Sequence, residues 1–530
     1  MNTKDITSQC QVVHFAWDYE GDSTGDLENI SVNQLGQSTP HDVSRYITSA
    51  SYSKKLSDAA GSFEIVLANT KDWKDVIKKG SWLLMYMSQD GGLSIPKGSS
   101  TVKLKSGGSG DAIDISKLKL QKSKVRVMGY IDTVRARGIT GEKGELDVEY
   151  VITGRDYGVV YEDTEIWHNE ALFDFNLLTS AASFLEAQPF RTVDSLLDLL
   201  HKLFFSPADI PGVDIKKTGG LTSLALQWML PSKMLKAMDI QLSGGKKPYY
   251  GNIPKLLNFS KTKASFPVEN PLALLNGVAW DRLKAHSIDP YHELFTEMND
   301  EGHPQLTFRM LPWKLFGTNR KFPTINPTIQ KFGTTGIVDI PTIDISDFDV
   351  GEDNHTRFNA YITTVVTNYV TATDSRAQLQ DNDPKTGFPR LLQNGIRRHG
   401  LRLFQREINA MIDLGQERVD STLLRELNEF SIELWARSHE YESGTISIIG
   451  NNGIRVGKCL KIAEDAPYNA NKIFYIEGYE DSYSVNDKGA GSWEQTIFVT
   501  RGIEDAVLKK ATNINNRVNP TKSDGEFTEN

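Results

Sequence analysis

Alternation of apolar and polar residues with a period of two dominates both ends of this chain. It starts at "RYITSASYSKKL" (45–56) and continues in "GSFEIVLAN" (61–69), where Phe63, Ile65 and Leu67 share one face of a strand. From Asp72 the pattern predicts a short helix or turn that Gly80 stops, then an apolar strand over 82–87. Residues 88–123, with "SQDGGLSIPKGSS" and "KSGGSGD", have the composition of a flexible hairpin loop. Strands resume over 124–137 and 145–161 around a turn at 138–144. Ahead of these, residues 1–43 are polar and rich in Gly, Ser, Asn and Asp. They read as an arm, apart from an apolar start at 12–17 that suits a strand. Short strands at this spacing predict a sandwich or small barrel.

The middle changes period. "RTVDSLLDLLHKLFF" puts Val193, Leu196, Leu197, Leu200 and Phe204 at helical spacing, with Thr192 or Asp194 near the cap. "SLALQWMLPSKMLKAMD" reads as a helical or mixed segment broken by Pro231, and "ENPLALLNGVAWDRLKAHS" as a third helix with Pro271 near its first turn. "PYHELFTEMNDEGHPQLTFRMLPW" then predicts two strands around a turn at 299–303. The β pattern returns with a long run over 358–370, followed by a polar loop over 371–398. Two helices are expected next. The first, 401–414, has Leu401, Phe404, Ile408 and Met411 on one face; the second, 419–435, has Leu423, Leu427, Phe430 and Leu434. Strands resume at "GTISIIGNNGIRVGKCLKIAE". The clearest hairpin comes last: a run over 472–484 that breaks at Gly478, a turn over 486–491, and a returning run over 493–500.

The expected fold is mainly β with an α+β part. It divides into an arm (1–43), a first β-barrel module (44–165) carrying the 88–123 loop, and an α+β middle domain (166–345). A second β-barrel module (346–505) carries a helical insertion at 399–437. The C-terminal tail, 506–530, overlaps a short helix expected over 504–510, and its polar remainder is expected to be disordered unless a partner orders it. The two β modules share a loose parallel. Each has a glycine before an apolar strand ("KKGSWLLMYM", "IRVGKCLKI") and a hairpin carrying "GYID" or "GYED".

Length and composition narrow the function classes. The 530 residues are enough for three or four domains, and 39% hydrophobic with 24% charged residues is ordinary for a folded soluble protein. A net charge of -9 argues against tight binding to a nucleic-acid backbone. Cys10 and Cys459 are expected as free thiols; Cys10 has His14 nearby, but no second Cys/His pair completes a zinc pattern. The N-terminus lacks the apolar core of a signal peptide, and no run approaches the roughly 18 apolar residues of a membrane span. Synthesis in the cytoplasm, without stable membrane insertion, is therefore expected.

Four segments resemble the baseplate hub proteins of contractile phage tails. The first is "FEIVLANTKDW" and "VIKKGSWLLMYM" with "VRVMGYIDTVRARG" and "YVITGRDYG". The second holds Glu293, Leu294, Phe295, Arg309, Pro312 and Trp313, with His292 where the family pattern has Asn. The third is "DFDVGEDNHTRFNAYITTV", an acidic lead-in to a strand bearing Asn359, and the fourth is the final hairpin. The family is related to the base of the type VI secretion spike. The resemblance implies a homotrimer whose two similar β-barrels per chain make a pseudo-sixfold ring. That ring would join a hexameric tail tube, or its initiator, to a trimeric central spike, and leave a channel for DNA to pass without specific binding. Further implied partners are the wedge or other baseplate proteins and the tape measure protein; the implied location is the virion tail, assembled in the host cytoplasm. The alternatives are a tail-associated peptidoglycan hydrolase and a carbohydrate- or receptor-binding tail protein.

Candidate chemistry is weak throughout. "GDSTG" (21–25) fits G-x-S-x-G, but its polar flanks do not suit a nucleophile elbow. His286, His292 and His303 lack the helical spacing of a zinc site. Glu162/Asp163 and Glu440/Glu442 are acidic pairs of a kind common in a chain with 68 acids. "SGGKK" (243–247) lacks phosphate-loop spacing. Phe474, Tyr475, Tyr479, Tyr483 and Trp493 are expected in the core and at interfaces, and Arg309 and Arg501 as ion-pairing or solvated strand-end residues. No catalytic, cofactor-binding or metal-binding residue is assigned, and no cofactor is expected.

Overall fold

The computed structural model describes residues 8–17, 38–90, 121–140, 146–163, 292–300, 302–310, 336–352, 357–367, 393–409, 438–462, 472–486 and 489–504, with short or isolated stretches between them. Strands dominate. The N-terminal set is β1 (Gln9–Trp17), β2 (Ser38–Asp42), β3 (Ile47–Lys55), β4 (Ser62–Leu67), β5 (Trp82–Ser88), β6 (Val125–Thr140) and β7 (Leu146–Asp156). Three two-residue strands follow: β8 (Glu165–Ile166), β9 (Ala264–Ser265) and β10 (Gly277–Val278), the last pairing with β8. A hairpin comes next, β11 (His292–Met298) against β12 (Pro304–Met310), around the expected turn. The C-terminal set holds β13 (Ile337–Ile340), β14 (Ile345–Glu352), β20 (Glu442–Ile449), β21 (Cys459–Ile462), β22 (Lys472–Val485) and β23 (Gly491–Glu504). Between β14 and β20 lie β15 (Ala360–Thr367), β16 (Ala377–Gln380), β17 (Arg390–Leu391), β18 (Leu403–Asn409) and β19 (Met411–Ile412), which pairs with β9.

The two terminal sets join into one 13-stranded sheet, in the order β14-β20-β23-β22-β3-β4-β7-β6-β5-β1-β2, with β21 against β22 and β13 against β21. The join is the antiparallel pair β3–β22, running from Gly478 opposite Lys55 to Ser484 opposite Ser49.

The two sets repeat each other pairing by pairing. β5 meets β6 with Leu83 opposite Gly129 and Trp82 opposite Tyr130; β21 meets β22 with Leu460 opposite Phe474 and Cys459 opposite Tyr475. β6 and β7 pair Ile131 with Gly154, skip Asp132, and resume at Thr133 with Thr153; β22 and β23 pair Ile476 with Val499, skip Glu477, and resume at Gly478 with Phe498. β3 and β4 skip Thr48 between Ile47 and Ser49; β14 and β20 skip Ser346 between Ile345 and Asp347. A bulge adds one residue to one strand and turns the sheet, so matched bulges mean matched curvature. Gly80 and Gly457 precede β5 and β21 with φ of 79° and 78°, a left-handed backbone that favours glycine. Each donates its N–H to the matching isoleucine carbonyl, Gly80 to Ile131 at 2.8 Å and Gly457 to Ile476 at 3.0 Å. The copies differ in that β13 pairs directly and in parallel with β21, whereas β1 stands between β2 and β5, and in bulges at Ile473/Tyr475, Met85/Tyr86 and Glu442/Gly444 that have no counterpart.

The core follows the period-two pattern. Phe63, Ile65 and Leu67 are all buried, as are Leu83, Met85 and Met87 from the apolar run 82–87. Phe474, Tyr475, Tyr479, Tyr483 and Trp493 are buried, as expected. Cys10 and Cys459 are buried free thiols.

Four expectations need correction. The helix expected over 401–414 is instead strand, β18 and β19. β18 lies parallel to β15, and of the supposed helical face Phe404 is buried among Phe358, Tyr361 and Trp435, whereas Leu401 is 67% exposed. Tertiary pairing outweighs a short apolar period that fits either structure. The stretch 371–398, read as loop, contains β16, β17 and most of the helix Gln393–His399, which ends at Gly400 (φ 74°). The third middle helix is interrupted, since Gly277–Val278 is strand. Finally, the wording "GYID" with "GYED" suggests the wrong alignment of the repeats. The pairings match Tyr130-Ile131-Asp132 with Tyr475-Ile476-Glu477, because bulge position sets the register. The helices expected over 191–205 and 504–510, "GDSTG", "SGGKK" and the tail 506–530 lie outside the described residues or almost wholly so, as does the helix over 419–435 up to Trp435.

Candidate functional site: a buried ionic clasp

Strand alternation aims several charged side chains inward. On β22, Tyr479, Asp481 and Tyr483 share the buried face, so Asp481 sits in the core (1% exposed). It meets Arg126 of β6: Nε and Nη2 donate to Asp481 Oδ2 at 2.9 and 2.8 Å, and Nη1 donates to the Ile454 carbonyl at 3.0 Å. The other carboxylate oxygen accepts from Trp493 Nε1 at 3.0 Å and Gln495 Nε2 at 2.6 Å. The guanidinium lies 4.5 Å from the Tyr479 ring centroid. Burial pulls the Arg126 pKa down, but the attraction of Asp481 and neighbouring groups outweighs it, so the guanidinium stays charged.

The hairpin β11–β12 adds a second layer. Glu297 Oε2 accepts from the Val456 backbone at 3.1 Å and from the Tyr479 hydroxyl at 3.2 Å, while Arg455 Nη1 lies 3.6 Å from Oε1. Burial, then the Glu297 charge, pushes the Tyr479 phenol up. Arg455 also donates to the Val125 carbonyl at 2.7 Å. Glu293 accepts from the Tyr475 hydroxyl at 2.5 Å, and Lys458 pairs with Asp300 at 2.5 Å. A third group surrounds Lys54, which is 0% exposed: its Nζ reaches Asp156 at 2.9 Å, the Ala59 carbonyl at 3.0 Å and Thr296 Oγ1 at 2.8 Å. Tyr52 also donates to Asp156 Oδ2, at 2.7 Å.

These groups fasten three stretches of chain together: the N-terminal strands, the central hairpin and the C-terminal strands. A buried charge pair gains little over an apolar core, but losing one partner leaves a charge stranded, so the arrangement enforces one relative placement of the parts. Its chemistry is mechanical: Asp481, Glu297 and Asp156 are engaged by donors on several sides and buried, while Asp300 lies at the exposed rim.

Other residues singled out from sequence have plain roles. Glu162 and Asp163 accept from Arg155 at 3.2 and 2.9 Å, and Glu442 pairs with Lys472. His303 Nε2 lies 3.0 Å from the Met238 carbonyl. Asn359 joins two loop ends, donating to the Gly400 carbonyl at 2.7 Å and accepting from the Arg402 N–H at 2.8 Å. The Arg501 guanidinium lies 5.5 Å from the Tyr475 ring centroid. Glu293, Leu294 and Phe295 lie on the buried inner hairpin strand, whereas Pro312, Trp313 and His286 are outside the described residues. Among the described residues, no group of three His, Cys, Asp or Glu could hold a metal ion, and no helix is long and apolar enough to cross a membrane. Sequence reasoning missed Arg126, Asp481, Glu297, Arg455, Lys54 and Asp156. The available signal was an acid, Asp481, placed two residues from a tyrosine on either side in a strand.

No protein-family model and no curated protein matches the chain. Among solved structures it is similar to the tail protein from Neisseria meningitidis MC58, at TM-score 0.37 and 9% identity over 95% of this chain and 99% of that one. It is also similar to the 43 kDa tail protein of prophage MuSo2 from Shewanella oneidensis, at TM-score 0.40 and 10% identity over 93% of this chain and 98% of that one. Both of these structural neighbours are tail proteins, one of them from a prophage.

Proposed function

We propose that this chain is a structural protein of a contractile phage-type tail, the baseplate hub, working as a homotrimer. It would join a hexameric tail tube, or the protein that initiates it, to a trimeric central spike, and keep a passage open for DNA. The observation that carries this reading is the duplicated set of strand pairings, with two bulges at matching positions. A chain with two equivalent units gives a trimer six similar faces on one side while it keeps true threefold symmetry on the other. The β3–β22 seam fixes one unit beside the other, and the clasp makes that placement rigid. The segments that carry the sequence resemblance fall on the duplicated strands, the central hairpin, β14–β15 and the final hairpin. A net charge of -9 is compatible with DNA sliding past without adhering. Contacts with wedge, tape measure or other baseplate proteins would fall on surfaces outside the clasp.

Light scattering on the purified chain, alone and mixed with tube and spike proteins, tests the reading. The expected mass of the assembled species is three times 59.2 kDa. A chain that stays monomeric in every mixture would sink it.

A further inference from the structure

Inside one molecule, β3 seats on the outer edge of the second half of β22, with Tyr52 opposite Asp481 and Ser51 opposite Ser482. The duplication gives each partner a counterpart: β14 corresponds to β3, and β6 corresponds to β22. Neither counterpart is used in the same way. Among the described residues, β14 pairs with β20 alone, and β6 beyond Tyr130 pairs with β7 alone. An open strand edge presents unmet N–H and C=O groups and is a template for another strand.

We propose that β14 of one molecule adds antiparallel to the β6 edge of a second copy of this chain, repeating the internal seam between molecules. The inference rests on the hub reading and supplies its ring-forming contact. Transferring the internal register residue by residue puts Asp349 opposite Arg137, Gly351 opposite Arg135 and Val350 opposite Ala136.

That register matches both faces of the added strand. On the outer face, exposed Asp349 sits opposite exposed Arg137 and diagonal to exposed Arg135, and exposed Asp347 is diagonal to Arg137. Opposite charges across a strand pair attract, and the same acids would repel a second β14. Arg137 already reaches Glu149 at 2.9 Å on the β7 side, so Asp349 approaches from the side β7 leaves open. On the inner face, Phe348, Val350 and Val134 are half-buried. Their counterparts at the internal seam, Ala50, Tyr52 and Tyr479, are buried. A second copy would finish the burial that the isolated chain leaves incomplete. The contact is head-to-tail, because the two edges belong to different units, so it closes into a ring or continues as a filament.

The test uses the full-length chain. Arg135→Glu/Arg137→Glu is expected to weaken self-association about tenfold or more, read by analytical ultracentrifugation, with unchanged circular dichroism. Adding Asp347→Arg/Asp349→Arg to that chain should restore it. Separately, Ala136→Cys/Val350→Cys should form covalent oligomers under oxidation through residues that face each other. If the wild-type chain assembles, yet charge reversal has no effect and the cysteine pair gives no cross-link, the proposed pairing is wrong while the hub reading survives. If the wild-type chain stays monomeric even with tube and spike proteins, both fall.

Discussion

Arg126 and Asp481 show what a single residue contributes here. With Asp481→Asn, Arg126 keeps its shape complement but loses its counter-charge in a site closed to water. The expected cost is about 3–5 kcal/mol, read as a lowered denaturant midpoint with an unchanged slope. Arg126→Met combined with Asp481→Leu removes both charges and should regain much of that loss. His14 gives a second residue-level test. Its Nε2 lies 2.7 Å from Ser81 Oγ, and burial, then the neighbouring His41, lowers its pKa from 6.5 to about 3. The unfolded chain therefore takes up a proton as pH falls below the ordinary value, while the folded chain refuses it until about 3. Stability present above pH 6.5 is lost on acidification, by about 3 kcal/mol between pH 7 and pH 4. Urea titrations at the two pH values should show this difference shrink in His14→Gln.

At the scale of elements, the left-handed turn before each apolar strand is a requirement written twice. A Cβ on Gly80 would meet only the Tyr130 hydroxyl, at 3.5 Å, so Gly80→Ala isolates the backbone term. It should cost about 1 kcal/mol, measured by thermal melting, with Gly457→Ala similar. Gly154→Ala should cost more, because its Cβ would lie 2.0 Å from the Tyr130 carbonyl. Most strands of both terminal sets were legible in sequence because period-two alternation and glycine punctuation agree there; β2 lay in the stretch read as an arm and β13 in the stretch read as the α+β middle. The first strand of the final hairpin was found nearly to the residue, its second runs two residues earlier and four later than expected, and the break at Gly478 is the resumption point after a bulge. The stretch 401–414 misled, because Leu401, Phe404, Ile408 and Met411 suit a helix as well as they suit a strand in which Phe404 is buried.

At the scale of the whole molecule, sequence indicated duplication but not how the copies join. The words "GYID" and "GYED" resemble each other, yet the true correspondence is set by skipped residues in the strand pairings, which no local pattern displays. The clasp was equally hidden: its members come from positions as far apart as Lys54, Glu297 and Asp481, and each alone looks like an ordinary surface charge. The seam also bears on how the polypeptide is made. Because β3 waits for β22, the first strands to leave the ribosome cannot complete their sheet until almost the entire message has been read. Until then Arg126 lacks its Asp481 counter-ion and the β3 edge lacks its β22 partner, so an unfinished chain is expected to be prone to aggregation. Truncated products that lack β22 should aggregate, and a folded, complete sheet should arrive only with the last strands.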